Sequence, residues 1–79
     1  MDINVLYERI LSKLRTSRDT DIIENLDKSA YGAVTGNEAL IAMGLYLLSL
    51  KEMNPGIYKL LKSEIKEFRK YCKQNGILL

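Results

Sequence analysis

The chain has 79 residues, a formal net charge of +2, one cysteine and no histidine. That allows a single small domain and excludes both an intrachain disulfide and a histidine-based metal or catalytic centre. A hydrophobic fraction of 47%, with one proline and five glycines, excludes disorder and favours helix over sheet.

The first predicted helix spans residues 3–15. Ile3, Leu6, Tyr7, Ile10, Leu11 and Leu14 fall within one arc of about 140° on a helical projection, with Val5 outside the pattern. Asp2 is placed to cap the first free amides. Thr16-Ser17-Arg18-Asp19 breaks the period and supplies cap candidates for a second, shorter helix over 19–28. That helix has only Ile22, Ile23 and Leu26 as apolar anchors, and acidic residues crowd its first turns, where the helix dipole favours them.

Ser29–Val34 reads as a connection of small and apolar residues. Thr35-Gly36-Asn37-Glu38 then has the spacing of a capping box, with Val34 and Ala39 as its hydrophobic staple. A third helix is expected over 36–52. Between Ala39 and Leu50 only Ser49 is polar, so this helix is apolar around its whole circumference. Gly44 in its middle costs about 1 kcal/mol relative to alanine but lets another backbone approach closely. Either the other helices wrap this one at the centre of the fold, or a second copy or partner protein buries one side.

Asn54-Pro55-Gly56 ends the third helix and starts a fourth over 55–74, with Asn54 as cap and Pro55 at the first helical position. Asn75-Gly76 stops it by offering a residue able to take positive φ, and Ile77–Leu79 are expected to fold back on the last turn. The fold class is therefore all-α: a compact four-helix domain with a central apolar third helix.

Charge is unevenly spread. Residues 56–79 carry six cations and two anions, whereas the first 55 residues carry six cations and eight anions. Lys59, Lys62, Lys66, Arg69, Lys70 and Lys73 project into one arc of roughly 100°, opposite an apolar face of Ile57, Leu60, Leu61, Phe68 and Cys72. This stripe could bind phosphates or an acidic partner, or simply be solvated. Nucleic acid is the less favoured partner. No aromatic interleaves the lysines for base stacking, because Tyr58, Phe68 and Tyr71 belong to the apolar side. The helix after the only plausible turn is also too apolar to read DNA.

Glu64 projects inside the apolar arc, where a carboxylate needs a partner. It either sits near the rim or pairs with Arg9, Lys13 or a tyrosine hydroxyl, or it makes a buried polar contact that fixes helix register or serves an interface. Tyr31, beside Gly32, either closes the end of the bundle or anchors an interface. Cys72 reads as a small buried hydrophobe.

Without histidine, and with no phosphate-binding glycine loop, the chain lacks a recognisable catalytic apparatus. No cofactor, metal or small-molecule substrate is expected. The start of the chain has no secretory pattern, and the longest apolar run, Ala39–Leu48, is about half what a bilayer requires, so a cytoplasmic location and no membrane contact are expected.

Glu64-Ile-Lys-Glu-Phe-Arg69, followed by Asn75-Gly76, resembles the final helix of the small helical immunity proteins that protect bacteria from nuclease toxins. The resemblance implies a helical inhibitor of another protein, and no binding residue is carried over from it. The expected function is non-enzymatic protein–protein interaction, with a protein partner or a second copy, and nucleic-acid binding through the lysine face as the rival.

Overall fold

Helix α1 (Ile3–Thr16) begins where Asp2 accepts a hydrogen bond from the Asn4 amide at 2.9 Å. The computed structural model describes residues 2–32 and 36–79, and the predicted apolar arc of α1 faces inward: Leu6, Ile10, Leu11 and Leu14 are buried, while Val5 is exposed. The helix ends in a paired stop. The Arg18 amide donates to the Arg15 carbonyl and the Asp19 amide to the Leu14 carbonyl, each at 3.1 Å. This 6→1 and 5→2 pattern needs a left-handed residue, and Arg18 supplies it at φ 61°. A side chain in that region is strained by about 1 kcal/mol.

Helix α2 (Thr20–Tyr31) is three residues longer than expected, which corrects the reading of Ser29–Val34 as a non-helical connection. Ser29, Ala30 and Tyr31 continue the helix. The Ser29 hydroxyl returns a bond to the Asn25 carbonyl at 3.0 Å, and Ala30 packs against the core. Ala30, read as part of a loop, thus lets the last turn of α2 pack against its neighbours. Thr35 and Val34, the cap and staple residues, lie outside the described residues.

Helix α3 (Gly36–Met53) packs on α2 and on both helices that follow it. Met43, Leu47 and Leu50 are buried. It is not wrapped on all sides: Ile41 and Leu45 are 37% and 53% exposed. Gly44 accommodates side chains rather than another backbone. A Cβ there would lie 2.6 and 2.8 Å from the Leu79 methyls and 3.2 Å from Phe68 Cε1.

The expected fourth helix is divided into α4 (Pro55–Leu60) and α5 (Lys62–Gln74). Its start is as read: Asn54 accepts from the Ile57 amide at 3.3 Å, with Pro55 in the first turn. At Leu61 the backbone leaves helical geometry (φ −95°, ψ 8°), although Leu61 still donates to Ile57 and accepts from Ile65. Leu60, at the break, is 41% exposed, while Ile65, absent from the predicted apolar face, is buried at 3%. No Gly or Pro causes the bend. The Lys13 ammonium of α1 donates to the Leu60 carbonyl at 3.3 Å, so a tertiary contact supplies a donor at the break.

Helix α5 ends as Asn75-Gly76 suggests. Gly76 has φ 73°, its amide donates to Lys73 at 3.2 Å, and the Ile77 amide donates to Cys72 at 2.8 Å. Ile77 is buried, Leu78 is exposed, and Leu79 packs against the core. One apolar cluster unites all five helices, and the radius of gyration of 11.6 Å equals that of a globular domain of this length, about 11.6 Å.

Candidate functional site

Helix α5 faces three ways, and its charges separate accordingly. Toward the core it sends Ile65, Phe68 and Cys72, and burial pushes the Cys72 thiol upward in pKa. Toward α1 it sends both of its acids. Glu64 is buried, with its carboxylate 2.7 Å from the Lys13 ammonium, and Glu67 is paired with Arg9. Lys13 therefore binds two features of the bend at once, the Leu60 carbonyl and Glu64.

The third face is left with cations alone. Lys62, Lys66, Arg69, Lys70 and Lys73 line a single groove of about 680 Å³ beside α5. Tyr58, Ile65, Ile77, Leu78 and Leu79 complete its walls and floor. Among the described residues, none of these five cations lies within ion-pair distance of a carboxylate. Lys62 with Lys66, Lys66 with Lys70, and Arg69 with Lys73 stand four residues apart, an arrangement of like charges that costs a helix about 0.2–0.5 kcal/mol per pair.

The groove gathers five of the predicted site residues: Lys62, Lys66, Arg69, Lys70 and Lys73. Lys59, on the far side of the bend, is exposed but does not line it. Glu64 is turned away from the groove and paired with α1. Tyr31 is 82% exposed at the end of α2 and does not close the bundle. Sequence reasoning missed the apolar part of the site. It placed Tyr58 on the apolar side, and Tyr58 does pack against the core, but it also lines the groove. It expected Ile77–Leu79 to fold back on the last turn, but not that Leu78 and Leu79 would line a groove beside the lysines. The signal for them was the glycine stop, which returns the chain toward α5.

Elsewhere, the Tyr7 hydroxyl donates to the Asp27 carboxylate between α1 and α2. Burial, then this bond and the negative charge beside it, raise the Tyr7 pKa well above the usual tyrosine range. Among the described residues no group of His, Cys, Asp or Glu is placed to hold a metal ion, and no helix is long and apolar enough to cross a membrane.

These features define a small all-helical domain with one cationic, apolar-floored groove. No protein-family model, curated protein or solved structure matches the chain.

Proposed function

We propose that this is a non-enzymatic protein–protein interaction domain, and that the groove beside α5 takes an acidic, amphipathic helical segment of a protein. One observation carries this reading: both acids of α5 are drawn into pairs with α1, leaving five cations together around an apolar floor. Cations of one sign set around buried aliphatic carbon match a helix that presents carboxylates beside leucine-like side chains. In this reading α4 and α5 act as one bent member of a four-helix bundle built on α3. An inhibitor of the immunity type falls within the same class, and a cytoplasmic location suits a lone reduced thiol such as Cys72.

Nucleic acid is the rival occupant. Tyr58 offers one ring on which a base could stack, but four aliphatic residues, Ile65, Ile77, Leu78 and Leu79, make up the rest of the groove's apolar lining. A phosphate backbone would leave that surface uncovered.

The test is a titration of the whole chain against two fluorescent probes of equal charge: a synthetic amphipathic helix with a leucine stripe flanked by glutamates, and a single-stranded oligonucleotide. The peptide is expected to bind more tightly, with only a modest loss in high salt. Lys62→Glu, Lys66→Glu and Lys70→Glu together should weaken it about tenfold or more, the equivalent of about 1.4 kcal/mol. Preference for the oligonucleotide, with affinity falling steeply as salt rises, would overturn the reading in favour of nucleic acid. Binding of neither probe by a chain that is monomeric under the assay conditions would overturn both.

A further inference from the structure

The surface of α3 left open by the fold has the character that the groove demands. Ile41 and Leu45 are exposed, and Leu48 is half-buried beside them. Glu38 and Glu52, both exposed, stand at the two ends of the same face. The spacing 38, 41, 45, 48, 52 advances by three or four residues at each step, so these side chains form one stripe along the helix. Lys51, the cation of the last turn, projects about 100° away from Glu52 and lies off the stripe. The open face of α3 is thus an acidic, amphipathic helix surface.

Its dimensions suit the groove as well. At 1.5 Å per residue, Glu38 to Glu52 spans about 21 Å, and Lys62 to Lys73 spans about 17 Å. The two surfaces also share an edge. Leu79, which lines the groove, sits against Gly44, and Gly44 is the helical neighbour of Ile41 and Leu48, three residues before it and four after. Stripe and groove therefore lie side by side on one molecule. A two-fold axis through their common edge would lay the stripe of each copy on the groove of the other, an isologous contact closed by symmetry.

We infer that the groove's occupant is the α3 stripe of a second copy of this chain, giving a symmetric dimer with two equivalent stripe-in-groove contacts. This inference rests on the reading of the groove as a site for an acidic amphipathic helix. Each contact sets Glu52 against the cations of α5, and covers Ile41 and Leu45 with the apolar floor.

Charge exchange tests it. One variant reverses the groove, Lys66→Glu with Lys70→Glu; another reverses the stripe, Leu45→Lys with Glu52→Lys. All four positions are exposed, and far-UV circular dichroism checks that each variant keeps its helices. Light scattering over a concentration series should give a dimer for the native chain and dissociation about tenfold or more easier for either variant alone. An equimolar mixture of the two variants should restore the dimer, because both contacts then pair opposite charges. A mixture that stays monomeric overturns the inference, as does a native chain that stays monomeric at the highest concentration reached. The glutamate–leucine probe peptide separates the two levels of failure. A monomeric native chain that binds the probe loses the second copy as occupant but keeps the groove as a peptide site. A monomeric native chain that ignores the probe loses both.

Discussion

Replacing Gly44 with alanine probes the contact between α3 and the end of the chain, and the packing around Gly44 sets the sign of the effect. Alanine is better than glycine in a helix interior by about 1 kcal/mol. Against that gain, the new methyl would stand 2.6 and 2.8 Å from the Leu79 methyls and 3.2 Å from Phe68 Cε1. Leu79 is partly buried and can swing away, forfeiting about half the 1.5–3 kcal/mol of a fully buried leucine, or roughly 1 kcal/mol. The Phe68 ring is 1% exposed and must shift within a packed core, at about 1 kcal/mol. Gly44→Ala should therefore destabilise the native chain by about 1 kcal/mol. In a Leu79→Ala background the first clash is gone, and the same substitution should be close to neutral. Urea unfolding followed at the helical circular-dichroism band, over the full double-mutant cycle, measures the difference. A coupling of about 1 kcal/mol is expected. Additivity within about 0.3 kcal/mol would refute the placement of Leu79 in the glycine slot.

The Lys13–Glu64 pair should be asymmetric. Lys13→Met strands a carboxylate whose side chain is 7% exposed and should cost roughly 2–4 kcal/mol, below the range for fully enclosed pairs because Lys13 is itself partly solvated. Glu64→Leu should cost less than about 1 kcal/mol, because the 40%-exposed Lys13 can turn to water, and equal costs in urea unfolding would contradict this account. Tyr7 is held protonated in the folded chain, so its stabilising contribution is complete below its ordinary value of 10.0 and is lost as pH rises past it. Tyr7→Phe should therefore flatten the decline in melting temperature above about pH 10, and an unchanged decline would remove Tyr7 as its cause.

Features governed by local chemistry were legible in the sequence. The apolar period of α1, with Val5 as its one outlier, describes its buried face. Asn54-Pro55 and Asn75-Gly76 act at the helix ends through the residues' own backbone preferences. What could not be read depends on contacts distant in sequence. The bend at Leu61 carries no breaker of its own and coincides with Lys13, 47 residues before the Leu60 carbonyl it binds. The stripe of cations was visible on a projection. Lys13 was among the partners expected for Glu64, and Ile77–Leu79 were expected to fold back. The division of the stripe at Lys59, the pairing of Glu67 with Arg9 and the meeting of Leu78 and Leu79 with the lysine face were not read, because they follow from where the bend sends the chain. A helical wheel treats 55–74 as one straight rod and so put Leu60 on the apolar face, where the structure leaves it 41% exposed.

The pairing of the first helix with the last has a consequence for how the domain holds together. Arg9 meets Glu67 and Lys13 meets Glu64 across 58 and 51 residues, while α1 also packs on α2, α2 on α3, and α3 on α4 and α5. The contacts form a closed circuit rather than a line. In a linear stack of helices each added unit contributes its own stability, and an end can peel away at little expense. A circuit has no such end. Opening it anywhere, including at the α1–α5 seam, loosens the bend that shapes the groove. Stability and the shape of the groove are therefore one cooperative property, and a chain of this size is expected to keep or lose them together.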